Sequence, residues 1–144
     1  LGALAISVPG IHRSKGLARR MIEEFRNLAA AKGLDGVIAP VRPSEKHKHP
    51  FVPLEEYLNW TDDRGRLYDP WLRSHSAAGG KIVKPAPRSM VVEEPIAFWE
   101  MWSGREFTET GEYAVEGALA PVAIDRNLGV GKYIEPNVWF AYAA

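Results

Sequence analysis

The sequence predicts an α/β domain with a mixed sheet, built around a parallel strand pair bridged by a helix and extended by a carboxyl-terminal β-hairpin. A short apolar run, Leu1 to Val8, leads through a basic, glycine-containing turn into an amphipathic helix that starts beyond Gly16. A second apolar run, Val37 to Val41, follows the helix closely, so the two strands should be parallel and the crossover right-handed. Near the other end, Tyr113 to Ile124 and Lys132 to Tyr142 flank Asp125 to Gly131, a segment with the turn residues of a hairpin.

Leu1, Ala3, Leu4, Ala5, Ile6 and Val8 have the continuous apolar character of a strand covered on both faces. From Gly16 the period changes. Leu17, Met21, Phe25 and Leu28 form one helical stripe with Ala18, Ile22 and Ala29 beside it, while Arg19, Arg20, Glu23, Arg26 and Asn27 point away. Lys32 and Gly33 supply the stop, and Pro40 and Pro43 close the second strand.

The turn matters for what it leaves unpaired. The first amides of a helix have no partner inside it, and with the helix dipole they form an anion site. Gly16 removes a side chain that would block approach, Ala18 keeps the next turn narrow, and Arg13 and Lys15 add positive charge. Two familiar phosphate loops fail on spacing. Lys15 precedes Gly16 and no hydroxyl follows, against the nucleotide-triphosphate pattern, and Gly10 and Gly16 alone do not make a dinucleotide fingerprint.

Arg13-Ser14-Lys15-Gly16-Leu17-Ala18 does fit R/Q-x-x-G-x-G/A, the acyl-coenzyme A (acyl-CoA) loop, and with its strand before and helix after it resembles the GNAT N-acetyltransferase superfamily. The resemblance covers roughly Leu1 to Val83. It implies a GNAT-like mixed sheet whose parallel strands splay around the cofactor, with Ile6, Ser7 and Val8 contacting its pantetheine arm. It assigns the pyrophosphate to Arg13, Ser14, Lys15, Gly16, Leu17 and Ala18. Acetyl-CoA would be the co-substrate, and a small-molecule or peptide amine the acceptor. The amine would attack the thioester directly, with a backbone amide near Val8 polarising the carbonyl. A homodimer and a cytoplasmic setting are compatible with this. Against the family pattern, residues 1–144 read as a single GNAT-like acyltransferase domain lacking the usual amino-terminal elements, which form much of the acceptor wall. A non-catalytic acyl-CoA-binding module, or a fragment of a larger acetyltransferase, is the alternative. A third reading makes Gly16 and Arg13 merely a tight turn and a surface ion pair in an interaction domain.

Downstream, Asp69-Pro70-Trp71 opens a helix with an N-cap and a first-position proline, and Gly79-Gly80 ends it. In the family this helix carries a tyrosine four residues before the closing glycine, placed to protonate the departing thiolate; here His75 stands four before Gly79. Histidine could supply that proton only as imidazolium, a minority state at neutral pH for an unperturbed ring, and a packed structural histidine is the alternative reading. Arg73, on the same helix, is either a phosphate contact or simply exposed.

Lys46-His47-Lys48-His49 reads as a solvated basic loop rather than a metal site, with contact to the adenosine end of the cofactor as a middle reading. Glu55 to Trp60 is a short helix and Asp62 to Gly65 a turn. Lys81 to Val92, with Pro85 and Pro87, is an edge strand or a bulged one. Ile96 to Trp102 is a helix whose Phe98, Trp99 and Trp102 belong to the core. Glu93, Glu94, Glu100, Glu112, Glu116 and Glu135 are unranked candidates for a general base.

Composition sets the outer limits. Lysine plus arginine equals aspartate plus glutamate at 18 each, so there is no global field for nucleic acid or an anionic membrane, and phosphate binding must be local. Without cysteine there are no disulfides, thiolate metal ligands or cysteine nucleophiles. No apolar run approaches the ~20 residues of a membrane-spanning helix.

Overall fold

The computed structural model describes residues 1–144. Helix α1 (Leu17–Ala31) precedes β1 (Gly36–Val41), and two short helices, α2 (Leu54–Tyr57) and α3 (Pro70–Ala77), lead to β2 (Lys81–Pro95). Helix α4 (Ile96–Ser103), β3 (Gly111–Tyr113), β4 (Val122–Asp125) and β5 (Val130–Ala143) complete the chain. The expected class holds: α/β, with helices packed on a sheet and a β4–β5 hairpin at the carboxyl end.

Strand β5 is the spine. It pairs antiparallel with β2 from Lys81↔Ala141 to Pro95↔Val130 on one side. On the other it pairs with β1 over Val138 to Ala143 and with β4 over Val130 to Tyr133. Its buried positions change parity midway, from Tyr133 and Glu135 to Val138, Phe140 and Tyr142, facing a register shift in β2 between Ala86 and Met90. Across this shift β2 advances four residues, Ala86 to Met90, while β5 advances two, Asn137 to Glu135, and the two halves of the sheet carry separate cores. One packs Ile22, Ala29, Val37, Val41, Tyr57, Leu72 and Phe140, and the other gathers Ile96, Trp99, Phe107, Val122 and Ile124. β2 is the edge strand that its prolines required, with Pro87 inside the irregular stretch.

The parallel pairing is present but short. Gly2 bridges Ile38 in parallel, through Ile38 N–H to the Leu1 carbonyl at 2.8 Å and Ala3 N–H to the Ile38 carbonyl at 2.8 Å. The strand expected to reach Val8 leaves the sheet after Ala3, and Leu4 is 86% exposed. Position 40 supplies the reason. Backbone groups of alternate residues face the same neighbour, so after Gly36 and Ile38 the next donor toward the amino-terminal segment would be residue 40. Pro40 has no N–H to give, and the ladder stops there.

Two other expectations shift. The buried line of α1 is Ile22 and Ala29 with Phe25 half-buried, whereas Met21 and Leu28 stay outside at 43% and 44% exposure. The helix seats its narrower alanine-bearing face on β1, which lets the two backbones approach. On α4, Trp99 is buried and donates its indole N–H to the Gly131 carbonyl at 2.9 Å, but Trp102 lies 70% exposed, stacked on Phe98. An eight-residue helix lying on one core cannot bury all sides. No helix is long and apolar enough to cross a membrane.

Candidate active site

Where the amino-terminal segment diverges from β1, a cleft of about 1120 Å³ opens between that segment, the first turns of α1, and α3. Of the residues expected to hold the cofactor, Ile6, Ser7, Val8, Arg13, Ser14, Gly16, Leu17 and Ala18 all line it, and Lys15 alone does not. Departure from the sheet frees the backbone of Ile6 to Val8 from strand pairing.

The approach to α1 is built to keep its end open. A single helical turn at Gly10–His12 is followed by Arg13, whose Nε donates to the Val8 carbonyl at 3.3 Å and ties the loop to the segment before it. The backbone passes through the left-handed region at Ser14 (φ +61°) and again at Gly16 (φ +74°), where glycine pays no steric penalty. Gly16 caps the helix without a side-chain hydrogen bond, and the first turn has no acidic residue. The orphan amides and the positive end of the dipole therefore border the cleft together. Arg13, Arg19 and Arg42 add cations, and no carboxylate lines the space. Its polarity suits a phosphorylated ligand.

No family model matches the sequence. Over 99% of its length the chain is 38% identical to arginine N-acetyltransferase avaD of Aspergillus versicolor, covering 55% of that protein. In structure it resembles the loading GNATL domain of CurA from Lyngbya majuscula, at a TM-score of 0.59 and 22% identity, covering 99% of this chain and 53% of that one. The fold is therefore GNAT-like. It spans about half the length of the curated relative it matches.

In this GNAT-like fold α3 forms the wall opposite the loop. Asp69 caps it, accepting from the Trp71 and Leu72 amides at 3.0 and 3.1 Å, and Pro70 occupies the first helical position. Trp71, Ser74, His75 and Ala78, at helical spacing, line the cleft. A smaller space of about 230 Å³ lies between Ala3 to Ile6 and Ala39 to Arg42, and it shares Ile6, Arg42, Trp71 and His75 with the main cleft. It is the gap that Pro40 leaves. Pro40→Val is expected to close part of this gap: amide exchange should find residue 40 protected, with little change in melting temperature because the new hydrogen bond is offset by a freer unfolded chain. Fast exchange at position 40 would show that something else holds the strands apart.

His75 is buried and packed edge-on against Trp71, with ring centroids 4.6 Å apart. Its Nδ1 meets the Tyr142 hydroxyl, and burial pulls its pKa down to about 4, so the ring is neutral at physiological pH. Burial likewise pushes Tyr142 up to about 12, so it keeps its proton. The imidazolium needed by a histidine acid is therefore not available here.

None of the candidate glutamates lines the cleft. Glu135 alone among them is buried, held by Arg42 Nε at 3.1 Å and the Tyr133 hydroxyl at 2.7 Å, and it serves to orient Arg42. Arg42 also donates through Nη2 to the Gly117 carbonyl at 2.8 Å. Glu100 accepts from the Phe107 amide, and Glu93 pairs with Lys132.

Other basic candidates are occupied elsewhere. Arg73 donates to the Leu67 and Tyr68 carbonyls and pairs with Asp62 at 3.5 Å, away from the cleft. The run after Glu45 is not simply a solvated loop. Lys46 is buried with its ammonium on the His49 and Leu119 carbonyls at 2.6 and 2.8 Å, and burial lowers its pKa. Lys48 pairs with Glu45, and His49 joins Tyr57, Trp60 and Tyr68 in a ring cluster.

Sequence reasoning missed Pro40 as the wedge, Arg42 and Ser44 in the cleft wall, and Tyr142 behind His75. A proline inside an apolar strand is a signal that could have flagged the first. The others depend on contacts between residues far apart in the chain.

Proposed function

We propose that this GNAT-like domain binds acyl-CoA in the main cleft and transfers an acetyl or other acyl group to an amine. The observation that carries the reading is the uncapped, acid-free amino terminus of α1 opening, with Arg13, onto a cleft large enough for a cofactor. The amides of Gly16 to Ala18 would hold the pyrophosphate. The backbone of Ile6 to Val8, unpaired with β1, would take the amides of the pantetheine arm in place of a strand, and the thioester would lie near the junction of the two spaces, beside His75.

In the transfer the amine nitrogen forms a bond to the carbonyl carbon and the carbon–sulfur bond breaks, giving an amide and free thiol. A backbone amide near Val8 would stabilise the oxyanion as it forms. No carboxylate stands in the cleft wall, and a base or water would take the amine proton. The acceptor class is a small molecule or peptide amine, and the name of the Aspergillus relative makes arginine the first to try.

Calorimetric titration with acetyl-CoA, followed by mass-spectrometric detection of acetylated arginine and other amines, tests the reading. Micromolar binding with product formation is expected. Binding without turnover on any amine would favour a non-catalytic acyl-CoA module, a reading that the half-length match to the relative makes worth separating. No binding by folded protein would overturn both.

A further inference from the structure

His75 is 5% exposed, yet its Nε2 has no hydrogen-bond partner within the protein. Buried polar nitrogens are nearly always paired, and this ring borders both the main cleft and the smaller gap, the two spaces from which a ligand could supply a partner. The other nitrogen is committed. Nδ1 meets the hydroxyl of Tyr142, which is 3% exposed and has no other side-chain hydrogen bond. The hydroxyl owns one hydrogen. Were Nδ1 the donor, that hydrogen would be buried with nothing to accept it; with Tyr142 donating, Nδ1 and the hydroxyl are both satisfied and the ring proton sits on Nε2, the one nitrogen without a protein partner.

We infer that Tyr142 fixes His75 as the Nε2–H tautomer, so that the neutral imidazole offers an N–H donor to the sulfur of acyl-CoA as it departs. This rests on the acyl transfer proposed above. The carbon–sulfur electron pair moves onto sulfur, Nε2–H stabilises that charge by a hydrogen bond and keeps its proton, and the proton that completes the thiol comes from the attacking nitrogen by way of water. Tyr142 is thus a positioning residue, acting through His75. Gly80 makes its approach possible: a Cβ there would lie 2.8 Å from the Tyr142 ring and 2.8 Å from the His75 carbonyl. The environment agrees. Trp71 and Phe140 are the other rings on His75, the charged or titratable groups lining the cleft beside it are His12, Arg13, Arg19 and Arg42, and no carboxylate is present to favour imidazolium.

Long-range proton–nitrogen NMR on histidine-labelled protein reads the tautomer directly. The Nε2–H pattern is expected for His75 at neutral pH, and either the Nδ1–H pattern or an imidazolium would overturn the inference whatever the enzyme's activity. In Tyr142→Phe the pattern should become mixed, and kcat should fall about 10-fold with KM for acetyl-CoA unchanged, as for loss of an orienting partner. His75→Gln, which keeps a donor, should retain more kcat than His75→Phe. The wild-type kcat should not decline between about pH 6 and about pH 8, because no imidazolium is consumed; a decline there would mark histidine as a proton-giving acid and reject the neutral donor. If the domain binds acetyl-CoA but transfers nothing, the acyl-transfer reading fails while the tautomer remains measurable, so the two failures are distinguishable.

Discussion

Asp69→Ala should lower stability by about 3–5 kcal/mol, the usual cost of emptying one side of a buried charged network, and drop the melting temperature by on the order of 10 °C. Asp69 is 1% exposed and gathers the site's walls onto two oxygens. Oδ1 accepts from the Ser44 amide and hydroxyl, both at 3.2 Å, as well as from the α3 amides, and Oδ2 accepts from the Glu45 amide at 2.9 Å and the Tyr57 hydroxyl at 2.7 Å. Alanine would leave these donors buried and unpaired. Thermal unfolding followed by circular dichroism checks this; an unchanged melting temperature would show that the carboxylate is not the hub.

The same carboxylate carries a pH signature. Burial pushes its pKa up, but hydrogen bonds from Glu45, Tyr57, Leu72 and Ser44 outweigh that and hold it below the ordinary value. Its folded pKa being depressed, its contribution is complete above the unfolded value of about 3.9 and is lost as pH falls through the folded one. His75 acts in a higher window: the unfolded chain protonates it from about 6.5 downward, the folded one only near about 4, so stability erodes as pH falls between them. In Asp69→Ala the erosion that belongs to His75 should persist, and the steeper loss below it should flatten.

Gly16→Glu should weaken acetyl-CoA binding by on the order of a thousandfold. A carboxylate placed about 4 Å from a phosphate, at the effective dielectric of a protein surface, costs about 4 kcal/mol. No atom lies within 4 Å of the position a Cβ would take, so the side chain has room. The left-handed backbone at φ +74° adds about 1–2 kcal/mol of strain, which Gly16→Ala shares without the charge. Calorimetry on both variants separates the effects. Alanine should bind within about tenfold of wild type, and equal binding by the glutamate variant would move the phosphates away from the α1 terminus.

What could be read in advance was local. The stop at Gly33, the Asp69 cap, the helix over Ile96 to Trp102 and the β4–β5 turn each follow from sterics or hydrogen bonds within a few residues, and they stand close to where they were expected. The phosphate-loop pattern was legible for the same reason, since a basic turn, a left-handed glycine and a helix terminus are neighbours in sequence. Of Ile6 to Val8 and Arg13 to Ala18, which it marked, all but Lys15 line the cleft, and it missed His12, which also does.

The stripe on α1 was less secure because two apolar lines, one through Met21 and Leu28 and one through Ile22 and Ala29, satisfy the helical period equally. Only the fit against β1 chose between them. The glutamates were unranked for a similar reason: burial of Glu135 depends on Arg42, 93 residues away.

The sequence by itself determined where the helices begin and end, that an uncapped anion-binding turn precedes α1, and that Pro40 cannot donate a hydrogen bond. Tertiary structure decided that this missing donor falls on the edge where the amino-terminal segment would pair, and so opens the gap. It also set Tyr142 against a histidine 67 residues away and left that ring's far nitrogen without a protein partner. The physical division is one of range: backbone sterics and helix ends act between neighbours, whereas pairing edges, burial and tautomers exist only once distant segments have packed.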